Sequence, residues 1–473
     1  MKIAFCASEA VPYAKTGGLA DVCGALPLAL SRLEHEVILI LPKYYMISAH
    51  TNLLRSFDRD FDWTQMDGVK VYFLKNDMYL RAGLYGDRSG DYVDNLRRFS
   101  YFCRMSCELF GRTGFYPDIV HCHDWQTSLI PALIKADRGS YFGANAKRPK
   151  TLLTLHNVSY QGIFSKEQMP ETGLPWDYFS YNGFEFHDQI NLLKGGIQFA
   201  DVINTVSPTY AEEVQSPLFG CGLEGVLSSR KENFCGIVNG VDYNVWNPSG
   251  DRNLFKTYSQ DDLEGKKINK LTLQKMCSLS CDVRIPLFGF VGRLVEQKGV
   301  DILIKILPQL CRQGSQVIIL GAGEAKFEES LLSLIKEFPR HIFFSSQFDD
   351  KLAHRIYGAC DFFLMPSKFE PCGIGQLISF KYGTVPVIFK TGGLADTVID
   401  YTQDKCNGNG FVFSKYSDQE FLAAIKRGLK LFHDEKNWLE VCKRLMCLNF
   451  SWKESAKKYA GLYERELMDK GLC

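Results

Sequence analysis

The sixteen cysteines of this 473-residue chain include no C-x-x-C pair, no apolar run is long enough to cross a bilayer, and the formal net charge is only +1. Each absence excludes a class. Without paired cysteines there is no zinc or disulfide framework to read, and several cysteines, Cys6 and Cys122 among them, lie in apolar strand-like runs as small hydrophobes. Reduced cytoplasm is the expected compartment. A near-neutral chain has no electrostatic footprint for nucleic acid or an anionic membrane, so any bound anion needs a local site. The start, Met1-Lys2-Ile3-Ala4-Phe5-Cys6, enters an apolar run with no cationic leader. Catalytic signatures are missing too: there is no G-x-S-x-G elbow and no Walker lysine. Gly321-Ala322-Gly323 begins like a dinucleotide fingerprint, but Lys326 holds the third glycine position.

Hydrophobic residues at 46% and charged residues at 23% describe an ordinary folded chain, too long for one core. Short β-branched or apolar runs alternate with longer amphipathic stretches, the pattern of parallel α/β sheets. The first half offers strands at 3–7, 37–41, 71–74, 119–122, 152–155 and 202–206, and the second at 288–291, 317–320, 342–344, 362–365 and 385–389. A turn-rich cluster from Asn239-Gly240-Val241-Asp242 to Trp246-Asn247-Pro248-Ser249-Gly250-Asp251 separates them. The expected domains are 1–245, 246–455 and a final helix, 456–473. Two doubly wound Rossmann-like sheets, each binding ligands at its carboxyl strand ends, would face each other across a deep cleft.

Thr16-Gly17-Gly18-Leu19-Ala20-Asp21 recurs as Thr391-Gly392-Gly393-Leu394-Ala395-Asp396. Each copy reads as a glycine turn opening a helix, where backbone N–H groups and the dipole receive an anion or a hydroxyl. A favoured strand-to-helix turn used twice is the plainer alternative. Arg293 and Lys298 follow an apolar strand in Gly292-Arg293-Leu294-Val295-Glu296-Gln297-Lys298. A guanidinium fork and a mobile ammonium suit a diphosphate leaving group. Glu370-Pro371-Cys372-Gly373 follows another strand, placing a carboxylate for sugar hydroxyls and N–H groups for phosphate. Lys15 precedes the first glycine turn, and His121-Cys122-His123-Asp124-Trp125 and His156-Asn157 end two further strands. His121, His123 and Asp124 lack a further ligand cluster for a metal, and Asp124 suits a hydroxyl or a neighbouring loop better. Asp58-Arg59-Asp60 resembles a metal-binding D-x-D but lies in a charged stretch.

Together these motifs, with Thr205-Val206-Ser207-Pro208-Thr209-Tyr210 and the closing Trp452…Tyr459…Leu462-Tyr463, resemble bacterial glycogen synthases and plant starch synthases. These are retaining GT-B glucosyltransferases that use ADP-glucose, and the match runs nearly end to end. A second glutamate seven residues after Glu370, frequent in the wider GT-B group, would fall at Ile378. The family's usual Leu-Thr after Glu-Pro-Cys-Gly is here Ile374-Gly375. The resemblance implies that Lys15, Arg293 and Lys298 hold the diphosphate, and that Glu370, Cys372 and Gly373 meet glucose hydroxyls and the distal phosphate. It puts the His156 carbonyl beside the anomeric carbon. Gly17, Gly18, Asp21, Asp124, Asn239, Thr391 and Gly392 would order the donor site, Phe348 would stack on adenine, and Tyr85 would face the acceptor glucan. The implied chemistry is front-face transfer from ADP-glucose to an α-1,4-glucan without metal or cofactor. UDP-glucose as donor, a glucan phosphorylase and a non-catalytic glucan-binding scaffold are the alternatives. Oligomeric state is not legible.

Overall fold

The computed structural model describes residues 1–48, 54–87, 89–143, 147–347 and 349–468. The chain forms two compact units, one of Met1–Asn239 plus the segment from Trp452 onward, the other of Gly240–Ser451.

Unit 1 is built on nine strands: β1 (Lys2–Cys6), β2 (Glu36–Pro42), β3 (Arg55–Ser56), β4 (Phe61–Met66), β5 (Val69–Leu74), β6 (Ile119–His123), β7 (Lys150–Leu155), β8 (Val202–Thr205) and β9 (Phe234–Gly236). Their order is β9-β8-β7-β6-β1-β2-β5-β4-β3. All neighbours are parallel except β5–β4 and β4–β3. Ile3, Ala4, Phe5 and Cys6 are fully buried, as a central strand covered on both faces requires. β4 and β5 form a hairpin on the two-residue loop Asp67-Gly68, both at positive φ (42° and 90°), the geometry whose twist suits paired strands. Two helices of this unit matter below, α1 (Gly18–Ser31) and α2 (Asn95–Thr113). The Asp58 and Asp60 carboxylates accept hydrogen bonds from Arg112 of α2 at 3.2 and 2.7 Å, so the D-x-D stretch pins a loop to a helix.

Unit 2 carries β10 (Leu287–Val291), β11 (Gln316–Leu320), β12 (Ile342–Ser345), β13 (Phe362–Met365), β14 (Val385–Phe389) and β15 (Phe411–Phe413), ordered β12-β11-β10-β13-β14-β15 and parallel throughout. That is the doubly wound dinucleotide-fold order, with its switch point between β10 and β13. α3 (Val300–Arg312) buries Val300, Leu303, Ile306, Leu307 and Leu310 at helical spacing. α4 (Gly375–Lys381) and α5 (Gly392–Thr397) follow β13 and β14.

The last helix, α6 (Trp452–Met468), belongs to unit 1 and packs on α1. Its buried residues, Trp452, Ser455, Ala456, Tyr459, Ala460, Leu462 and Tyr463, form one stripe.

Candidate active site

In unit 1 the strand order reverses between the parallel neighbours β1 and β6, and most of the sequence-identified residues of this half cluster at the carboxyl ends of β1, β6 and β7. After β1 comes an eleven-residue loop, which ends in the first glycine repeat as it opens α1. Glu9, buried in that loop, accepts hydrogen bonds from the Thr16 backbone N–H and, at 3.0 Å, from its hydroxyl. Burial raises the Glu9 carboxyl above its usual range against those hydrogen bonds. Lys15 pairs with Asp21 at 2.7 Å on the surface. Gly17 caps α1 with extended backbone (φ −157°) and no side-chain cap, and a Cβ at Gly17 or Gly18 would meet nothing within 4 Å. Open space therefore meets the first backbone N–H groups of a helix here. The Tyr85 hydroxyl bonds Ser8 Oγ at 2.7 Å beside Glu9.

Asp124 directly follows β6 at φ 53° and accepts the His156 backbone N–H at 2.7 Å, tying the loops after β6 and β7 together. Burial pushes its carboxyl up to about 7, with Glu9 contributing in the same direction and the His156 and Asn157 N–H groups opposing. His156 Nε2 lies 3.0 Å from His123 Nδ1. Burial drives His156 down to about 3 and His121 and His123 well below the usual imidazole range, so all three are neutral at pH 7. Asn239, after β9, has a buried side-chain oxygen without a partner among the described residues.

The second cluster stands at the switch point of unit 2. Arg293, exposed after β10, reaches Gln297 Oε1 at 3.4 Å and has no carboxylate partner among the described residues. Lys298 Nζ donates to Glu370 Oε2 at 2.5 Å, and Ser367 Oγ donates to the same oxygen at 3.0 Å. Ser367, like Glu9 and Ser8, was not picked out by sequence reasoning. A polar side chain immediately past a buried strand was the available signal. Two glycines beyond β11 have a structural reason: a Cβ on Gly321 would lie 1.8 Å from Gly292 O, and one on Gly323 2.1 Å from Leu294 O. The Gly-x-Gly that fails as a fingerprint thus seats the Arg293 loop.

The repeated hexapeptide is built differently here. A Cβ on Gly392 (φ 43°) would lie 2.1 Å from Glu370 O, and one on Gly393 2.0 Å from Cys372 O. These glycines let α5 close against the Glu370–Cys372 backbone, whereas Gly17 and Gly18 leave open space. Thr391 and Cys372 are both buried at that junction. Gly373 (φ 70°) turns the chain toward α4, where Gln376 Nε2 donates to Gly373 O at 2.9 Å. The departure at Gly375 also has a reason: a Cβ there would lie 2.8 Å from the Phe363 ring. Phe348 lies outside the described residues.

Gly299 caps α3 at φ 73°, and a Cβ on it would lie 2.0 Å from Pro366 O. Gly299→Ala should therefore destabilise unit 2 by at least about 2 kcal/mol, from strain and a displaced strand end. The check is a lower unfolding midpoint together with reduced turnover, since Lys298 precedes it directly. An unchanged midpoint would refute the packing argument.

Comparison with known proteins places this architecture. The starch synthase catalytic domain family matches residues 2–229, and the glycosyl transferases group 1 family matches residues 282–441. Glycogen synthase 2 of Geobacter metallireducens is 42% identical, covering 98% of each chain. A glycogen synthase of Anaeromyxobacter is also 42% identical, over 98% of this chain and 99% of its own. The catalytic domain of starch synthase IV from Arabidopsis thaliana, solved bound to ADP and acarbose, superposes with a TM-score of 0.89 at 34% identity, over 98% of this chain and 99% of that one. Sucrose-phosphate synthase from Thermosynechococcus elongatus shares the fold (TM-score 0.61, 16% identity, 98% of each chain). Two Rossmann-like units with basic and acidic groups at their strand ends define a GT-B glycosyltransferase. Within that class the chain belongs to the glycogen synthase and starch synthase family.

Proposed function

We propose that the protein transfers glucose from ADP-glucose to the non-reducing 4-hydroxyl of an α-1,4-glucan with retention of configuration. The observation that carries this reading is the unit 2 switch point: an uncommitted guanidinium, Arg293, beside the Lys298–Glu370–Ser367 cluster. A nucleoside diphosphate brings the anionic oxygens that Arg293 and Lys298 suit, and its sugar brings the hydroxyls that Glu370 suits. Gly373, Thr391, Gly392 and Cys372 shape the backbone next to it. Phe348 is assigned to the base. In unit 1, Lys15, Gly17, Gly18 and Asp21 are assigned to the donor as well, Asp124, His156 and Asn239 to ordering the sugar, and Tyr85 to the glucan side.

Glu370 Oε2 already accepts two hydrogen bonds, which suits a carboxylate that orients hydroxyls better than a nucleophile. The proposed route is therefore front-face. The glycosidic bond to phosphate breaks toward an oxocarbenium-like state, and the leaving phosphate takes the proton of the incoming 4-hydroxyl. Arg293 and Lys298 stabilise the charge that builds on the diphosphate. Residues 1–245 are assigned to the acceptor side and 246–455 to the nucleotide sugar. No metal or cofactor enters this reading. No helix among the described residues is long and apolar enough to cross a membrane. A cytoplasmic location belongs to the same proposal and fits Cys6, Cys103, Cys107 and Cys122, packed as thiols in the core.

The test is incorporation of labelled glucose into glycogen from ADP-glucose or UDP-glucose. Incorporation from ADP-glucose, undiminished by EDTA, is the expected result. A preference for UDP-glucose would reject the donor, loss in EDTA restored by Mg²⁺ would reject the metal-free route, and no incorporation from either donor would reject the transferase reading.

A further inference from the structure

Behind His156 lies a row of buried rings whose hydrogen bonds fix where each proton sits. Tyr463 and Tyr459, one turn apart on α6, are the two ends of a chain of hydrogen bonds through β6, β7 and β8. The Thr154 hydroxyl donates its single hydrogen to Asn204 Oδ1 at 2.5 Å, and Asn204 Nδ2 donates to the Tyr459 hydroxyl at 3.0 Å. Thr154 Oγ1 is also 2.6 Å from His121 Nε2, and with its hydrogen spent it only accepts there. His121 therefore carries its proton on Nε2, and its Nδ1 accepts from the Tyr463 hydroxyl at 2.8 Å. His123 stacks on His121 with ring centroids 4.2 Å apart.

His123 then has one choice. Its Nδ1 faces His156 Nε2 at 3.0 Å, and its own Nε2 is buried without a partner among the described residues. If His156 donated, His123 would be left with a buried, unpaired N–H. If His123 donates, only a lone pair is unpaired, and orphaned N–H groups are the rarer and costlier defect. The second arrangement puts the remaining proton of His156 on Nδ1, which makes no hydrogen bond to the described protein.

We propose that His123, donating from Nδ1, holds His156 as a neutral imidazole that offers Nδ1–H to a substrate hydroxyl and cannot serve as a base, while α6 fixes through Tyr463 the His121 ring on which His123 stacks. Tyr463, Tyr459, His121 and His123 are then positioning residues. His156 is the group that touches sugar, which rests on the transfer reading above. The burial that keeps all three imidazoles uncharged supports this, because two stacked rings so close do not both carry charge.

The full-length protein with ¹⁵N-labelled histidine provides the test, by NMR correlation of ring carbon protons with ring nitrogens. Expected are Nε2–H on His121 and Nδ1–H on both His123 and His156 at neutral pH. In Tyr463→Phe the His121 Nδ1 resonance should move, and kcat should fall about fivefold, the size of one lost buried hydrogen bond. His156→Asn places an amide nitrogen where Nδ1 sits, and His156→Gln places one where Nε2 sits. Activity should therefore order Asn above Gln and Ala. A proton on His156 Nε2, an imidazolium at neutral pH, or Gln rescuing better than Asn would overturn the proposal. The NMR reading requires no turnover, so its failure is distinguishable from failure of the transferase reading.

Discussion

Arg293→Ala is expected to lower kcat about a hundredfold or more, the usual cost of removing one preorganised donor from developing charge. The structure makes this substitution unusually clean. Arg293 is exposed and spends its guanidinium on one long contact, 3.4 Å to Gln297, so the folded protein loses little without it. The unfolding midpoint should stay nearly fixed while turnover collapses. Arg293→Lys should recover only part of the loss, because an ammonium lacks the planar fork. Unchanged turnover with only a raised KM for glucan would reject the role. Lys298 provides the contrast. Its ammonium compensates Glu370, which is 8% exposed, so Lys298→Ala would depress stability and turnover together.

What was legible in the sequence follows from how local each signal is. The eleven anticipated strands are all present within a residue or two, because a buried parallel strand is a continuous apolar run that needs no partner to be recognised. β4 escaped notice because its one-sided alternation, Phe61-Asp62-Trp63-Thr64-Gln65-Met66, looks polar, although Asp67-Gly68 was a hairpin signal in plain view. β15 has three residues and little periodicity to detect. The glycine repeat shows the limit best. Six identical residues produce open space at Gly17 and Gly18 and close backbone packing at Gly392 and Gly393, because the difference lies in what faces them. Arg293, Lys298 and Glu370 stood out because each follows a strand. The Lys298–Glu370 pairing spans 72 positions and was visible only in three dimensions. The histidine row was half legible: alternation places His121 and His123 on one face of β6, but the α6 partner of His121, Tyr463, lies 342 positions away.

That row also predicts how the protein responds to acid. His121, His123 and His156 are held neutral by burial, so the unfolded chain takes up to three protons below pH 6.5 that the native protein refuses. A depressed imidazole contributes stability above its unfolded value that is lost as pH falls. Asp124, raised to about 7, and Glu9, raised by burial, act with the opposite sign, since the native protein keeps their protons when the unfolded chain has released them. Between about pH 5 and 6 the difference is one to two protons more on the unfolded chain. Stability should therefore fall by about 1.4 to 2.7 kcal/mol per unit of acidification there. Urea titrations at pH 5, 6 and 7 measure this directly. Asp124→Asn sharpens the test. An amide oxygen still accepts the His156 N–H, and Asn tolerates the positive φ of this position. Removing a carboxylate that opposed the histidines should steepen the acid slope by about one proton, or about 1.4 kcal/mol per pH unit. A flat profile, or one that rises toward acid, would mean that the three imidazoles are charged in the native protein, and the hydrogen-bond assignment behind His156 would fall with it.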